Sequence, residues 1–139
     1  MIAQEKKNLD KCPPLDFPLV KDFVGAAHAK LEKTKEMLAA QPALLNAAWD
    51  WGGGDFETAL SGAAHMGNRE IAEFLIAQGA GADIFALAML GQIEAVKEFV
   101  KAFPGIERSL GPHKIPLLVH AQKGGKRAAA VVTYLQSLG

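Results

Sequence analysis

Cysteine is almost missing from this chain: Cys12 is the only one in 139 residues. No intrachain disulfide can form, and small secreted domains usually depend on several, so a reducing, cytoplasmic setting is expected. Net charge is missing too, because 15 basic residues cancel 15 acidic ones. A neutral chain offers no long-range field for nucleic acid or an anionic membrane, and neither is expected as a partner. No uninterrupted apolar run is long enough to span a bilayer. Met1 to Asp10 is polar and lacks the apolar centre of an export signal. Also absent are HExxH, CxxC and a two-histidine helix pair, the short signatures of common metal and redox sites.

What the chain does contain is enough apolar character for one domain, with hydrophobic residues at 50%. A segment also recurs along it. Its clearest copy is Thr58-Ala59-Leu60-Ser61-Gly62-Ala63-Ala64-His65-Met66-Gly67, and its closing glycine returns at Gly91 and Gly124, with Lys30 in the same place in the first copy. The intervals are 37, 24 and 33 residues (67 − 30, 91 − 67, 124 − 91). Such spacing predicts a stack of small units.

Each unit reads as two short helices. The pairs are Pro18–Ala29 with Leu31–Gln41, Thr58–Met66 with Asn68–Gln78, Ala82–Leu90 with Gln92–Phe103, and Ile115–Lys123 with Arg127–Ser137. Pro18 suits a first turn, Thr58 and Asn68 suit N-caps, and Pro42, Gly79 and Pro104-Gly105 suit stops. The first helices are about two turns long and need neighbours to hold them. Alanines at 26–27, 63–64, 88 and 121 let those backbones approach closely. The second helices carry apolar stripes such as Ile71, Phe74, Leu75 and Val96, Phe99, Val100, Phe103, spaced for one buried face. Residues 1–16, with Pro13-Pro14, read as an extended tail.

Taken together, Thr58 to Ala80 resembles one ankyrin repeat, whose pattern is T-P-L-H-x-A-A-x-x-G, then a helix of the type E-V-V-x-L-L, then G-A. Ile115 to Gly124 is similar to the first half of that pattern, and Val24-Gly25-Ala26-Ala27-His28 and Glu94 to Val100 are similar to other parts. The resemblance covers roughly residues 18 to 138. It implies an all-α, ankyrin-type α-solenoid of about eight helices in four repeats, at about 18–47, 48–81, 82–105 and 106–138, with irregular hairpin fingers. It further implies binding of a protein partner through the fingers and the concave face of the first helices, with no shared catalytic residue and no shared cofactor. A monomeric, non-enzymatic interaction module is the expectation that follows.

The departures from the pattern locate the points of interest. The first interval fits a finger enlarged by four residues, within Trp49-Asp50-Trp51-Gly52-Gly53-Gly54-Asp55. The second leaves only Ala80-Gly81-Ala82-Asp83 where a finger belongs. The enlarged finger holds both tryptophans of the chain, which serve either as exposed binding anchors or as rings folded back to cover the shortened comb. Ser61, His28, His65 and Met89 are expected to line the groove beside it. His28 and His65 hold equivalent places, and the usual helix spacing of about 10 Å sets them too far apart to share a metal unless the side chains converge. A polar groove is therefore the plainer expectation. Should the finger lean over the groove, Asp50, Asp55, His65 and His113 would form a small-molecule or metal pocket, which is the alternative function. His120 replaces a packing alanine and is expected to be buried and hydrogen-bonded. Gly124-Gly125-Lys126-Arg127 lacks the opening glycine and the hydroxyl of a phosphate loop.

Overall fold

The structure is a computed structural model that describes residues 12–139; most of the tail expected over residues 1–16 lies outside them. The described residues are mostly helical. They form eight α-helices: α1 Phe17–Ala26, α2 Leu31–Ala40, α3 Ala59–His65, α4 Arg69–Ala77, α5 Ile84–Leu90, α6 Ile93–Ala102, α7 Leu117–Lys123 and α8 Ala129–Ser137. A two-stranded antiparallel hairpin, β1 Ala48–Asp50 and β2 Phe56–Thr58, precedes α3, with Trp49 opposite Glu57. No helix among the described residues is long and apolar enough to cross a membrane.

Capping explains where the helices start. Thr58 Oγ1 accepts the Ser61 amide at 3.1 Å, Asn68 Oδ1 accepts that of Ile71 at 3.1 Å, and Asp83 Oδ1 accepts that of Ala86 at 2.9 Å. Each bond satisfies an amide that the first turn leaves without a partner. Gly91 ends α5 at a φ of 79°, a conformation that an L side chain resists. Space forbids a side chain there as well, since a Cβ would lie 2.1 Å from the Arg127 carbonyl oxygen.

The three inner helices α3, α5 and α7 pack on one another, and α1 packs on α3. Close approach follows from size: Ala59, Ala63, Ala64, Ala86, Ala88 and Ala121 are completely buried. The outer helices close the core with larger groups, of which Ile71, Leu75, Val96 and Val131 are almost wholly excluded from water. Burying each such side chain contributes roughly 1.5–3 kcal/mol, which stabilises helices too short to persist alone.

The junction between α4 and α5 has no hairpin. Residues 78–83 connect them, tied down by a 2.9 Å bond from the Gly81 amide to Asn46 Oδ1. The segment before α7 instead reaches back to the hairpin. It contains a bridge between Leu110 and Pro116 and a 3-10 turn, Pro112–Lys114. The turn at Pro112–Lys114 thereby meets the hairpin segment, where His113 contacts Asp55.

Candidate metal centre

Four side chains from four parts of the chain meet beside β2. His28 follows α1, Glu57 lies on β2, His65 ends α3, and His113 sits in the turn before α7. Each offers one ligand atom, and these atoms all lie within 4.8 Å of one another. Nε2 of His28 is 3.0 Å from Glu57 Oε1, and the Nε2 atoms of His65 and His113 are each 2.9 Å from Glu57 Oε2. The Nε2 atoms of His28 and His65 are 3.1 Å apart. The wide separation expected for these two rings is therefore replaced by contact. The two imidazole arms converge, and Gly62 makes the room: a Cβ on it would lie 2.7 Å from His28 Cε1.

Local structure aims each ring. His28 Nδ1 donates to the Val24 carbonyl at 2.8 Å, which turns Nε2 inward. His113 is held twice by Asp55: its amide donates to Oδ1 at 2.8 Å, and Nδ1 lies 2.7 Å from Oδ2. His113 and Lys114 both adopt left-handed backbone, with φ of 60° and 58°. That conformation costs roughly 1–3 kcal/mol per residue. The Asp55 contacts offset part of it, together with the 3.0 Å bond from the Lys114 amide to the Gly111 carbonyl.

Glu57 is at the centre. The side chain is fully buried, whereas those of His28, His65 and His113 keep 21%, 12% and 33% of their exposure. Water therefore reaches the cluster from the imidazole side only. Burial pushes the Glu57 carboxyl up, but contacts with His28 and His65 outweigh it and hold the group at about 2. The contact with Glu57 in turn raises His28 above its ordinary value, against the opposing effect of its own burial. Asp55 is lowered, chiefly by the His113 amide. Trp51 Nε1 donates to Glu57 Oε1 at 3.1 Å. Oε2 has no hydrogen bond, although two ring nitrogens lie 2.9 Å away.

The donor arrangement is chemically unusual. In His28 and in His113, both ring nitrogens face oxygen acceptors. A neutral imidazole has one N–H and one lone pair, so it satisfies only one acceptor. A doubly protonated ring satisfies both acceptors, whereas a neutral ring presents its Nε2 lone pair to a cation shared with Glu57 or, in His28, to Nε2–H of His65 at 3.1 Å. A shared cation would also meet Oε2, which has no hydrogen bond of good geometry. Three imidazole nitrogens and one carboxylate suit Zn²⁺, Co²⁺, Ni²⁺ or Fe²⁺ better than Mg²⁺ or Ca²⁺, which prefer oxygen.

The other residues singled out in the sequence have different surroundings. Asp50 is exposed and turns away to accept the Gly52 and Gly54 amides at 2.8 and 3.0 Å, closing the glycine turn. Trp49 is half-buried against the core around α1 and α3. Trp51 is 39% exposed and covers the cluster, with ring centroids 6.5 Å from His28 and 6.2 Å from His113. Ser61 hydrogen-bonds within the α3 cap. Met89 is buried among core residues. His120 is fully buried, with Nδ1 donating to the Pro116 carbonyl at 2.9 Å and Nε2 without a partner. Sequence reasoning missed Glu57. Its available signal was an acid between Phe56 and the cap residue Thr58, on the strand position that points inward when Phe56 points out. Neither the models of known protein families nor the curated proteins contain a match to this chain.

Proposed function

We propose that this protein binds one divalent transition-metal ion through His28 Nε2, His65 Nε2, His113 Nε2 and the Glu57 carboxylate. The observation that carries the reading is the convergence of three imidazole nitrogens on one buried carboxylate, with one ligand atom from each of the four residues within 4.8 Å of the others. Charge supports it. Glu57 and Asp55 bring two negative charges, and one divalent ion balances them with all three imidazoles neutral. Asp55 fixes the tautomer of His113 as a carboxylate does for many metal-bound histidines, and the Val24 carbonyl does so for His28. The reading replaces the expectation that no cofactor is involved.

Isothermal titration of the chelator-treated full chain with Zn²⁺, Co²⁺ and Ni²⁺ tests it. One ion per chain is expected, with loss of binding in His65→Ala. At free metal about 100-fold above Kd, the added stability is about 2.7 kcal/mol, read as a rise in Tm. No stoichiometric binding and no shift would overturn the reading.

We further infer that the eight helices are four ankyrin-type repeats stacked as a solenoid, and that the hairpin also meets a protein partner. The specific observation behind the second point is exposed apolar surface there: Phe56 is 59% and Trp51 39% exposed. Substituting both by alanine should weaken an identified partner by at least about tenfold, and unchanged affinity would remove the hairpin from the interface.

A further inference from the structure

We propose that a pocket between α1, the start of α2 and the hairpin binds a small aromatic phosphate, a single ring carrying one phosphate monoester. None of the four ligand residues of the metal reading lines this pocket, and the proposal does not rest on that reading. Its first support is an internal comparison. Gly25-Ala26-Ala27-His28 at the end of α1 recurs as Gly62-Ala63-Ala64-His65 at the end of α3. A ring lies over Gly62, where a Cβ would meet the His28 imidazole at 2.7 to 3.3 Å. Over Gly25 nothing among the described residues comes within 4 Å of a would-be Cβ. The same backbone notch is filled by a ring in one copy and open in the other. Glycine weakens a helix relative to alanine. The ring over Gly62 requires it there. Gly25 has no such neighbour among the described residues and no left-handed backbone, so what it provides is open space.

That space opens into a pocket of about 240 Å³, walled by Trp51 and by Lys21, Asp22, Lys30 and Lys33. Pockets for drug-sized ligands measure about 300–1,000 Å³, so this one suits a ring with one substituent. Trp51 is 39% exposed and gives the ring an aromatic wall. Its Nε1 is already committed to Glu57, which fixes the indole and leaves the polar contacts of a ligand to the lysines.

Charge selects the substituent. Three ammonium groups and one carboxylate line the pocket, a formal charge of +2 (3 − 1). The ion pairs that lysine and arginine make among the described residues lie elsewhere, in Lys35–Glu32, Arg69–Glu73 and Arg108–Glu107. A phosphate monoester carries about −1.5 to −2 at neutral pH and matches that charge, whereas a carboxylate would compensate half of it. Lysine binds phosphate as a point charge on a flexible stem, so the three can gather on one group.

Calorimetric titration of the chelator-treated full chain with phenyl phosphate tests this. Removing metal keeps the probe from reporting the histidine centre. One saturable site per chain is expected, with inorganic phosphate and phenol each bound at least about tenfold more weakly. Gly25→Leu fills the notch at an exposed helix position where nothing clashes. It should keep the helical circular dichroism and a Tm no lower than wild type, and lose at least about tenfold in phenyl phosphate affinity. Lys30→Gln with Lys33→Gln should cost about 3- to 10-fold. His65→Ala should bind phenyl phosphate as wild type does, so a failed metal reading and a failed pocket are told apart. No saturable binding, or full affinity in folded Gly25→Leu, would overturn the site. Inorganic phosphate bound as tightly would overturn the role of the ring, and phenol bound as tightly would overturn that of the phosphate.

Discussion

Asp55 holds His113 by two bonds at once, 2.8 Å from Oδ1 to the amide nitrogen and 2.7 Å from Oδ2 to Nδ1. One carboxylate thereby fixes both the backbone and the ring of a residue 58 positions away in sequence. Asp55→Ala should release the strained turn and let the ring rotate. Metal affinity is expected to fall by about 10- to 100-fold, measured by competition with a chromophoric chelator, with helical circular dichroism unchanged.

Gly62 offers a way to disturb the cluster without removing a donor. Its would-be Cβ meets the His28 ring at 2.7 to 3.3 Å, and the ring is the free end of a side chain that can swing out. Gly62→Ala should keep the fold, since alanine is at home in a helix. It should cost at least about tenfold in metal affinity, comparable to loss of a group that orients a ligand. Wild-type affinity in this variant would show that His28 does not bind the ion.

The metal-free protein should have a characteristic pH profile. Glu57 titrates at about 2 in the fold against 4.5 ordinarily. Its contribution is fully present above pH 4.5 and is lost as pH falls through about 2; the difference is worth about 3 kcal/mol. His28 is raised from 6.5, so its contribution is present below pH 6.5 and lost as pH rises through its folded value. In urea unfolding with chelator, Glu57→Gln should remove the part of the acid limb between about pH 4.5 and 2, leaving the parts that Asp55 and His120 contribute.

His120 pulls the other way. Burial lowers it below 6.5, so its neutral form is favoured in the fold. That contribution is complete above pH 6.5 and declines as pH falls through the lowered value. His120→Leu should remove this decline. It also removes a buried Nε2 without a partner, while the Pro116 carbonyl retains the amides of Val119 and His120. Stability at neutral pH should be unchanged or higher by about 1 kcal/mol, read from the urea midpoint.

Much of the helix layout was legible because it is written locally. Thr58, Asn68 and the stop at Gly79 mark boundaries without reference to distant parts, and the stripe Ile71, Phe74, Leu75 reports a buried face by period alone. His65, His113 and Asp55 were also legible as one alternative cluster. The partnership of His28 with His65 was not, because helix spacing describes axes and not the reach of two imidazoles across a glycine. Glu57 was invisible for a different reason. A three-residue strand is too short to display a period, and a buried acid is identified only when its partners are known. Asp50, the other acid of the finger, looked equivalent to Asp55 in composition, yet the turn that the glycines impose spends it on backbone amides.

The separation of His28, Glu57, His65 and His113 along the chain also orders events in time. A chain made from its N-terminus presents His28, Glu57 and His65 first, and the turn that carries His113 emerges later. Until the turn holding His113 docks against Asp55, the proposed ion would have three donors and an exposed flank. Capture of such an ion at full strength would therefore report that the last helix pair has arrived, and a chain truncated before it would give up the metal to any competent chelator.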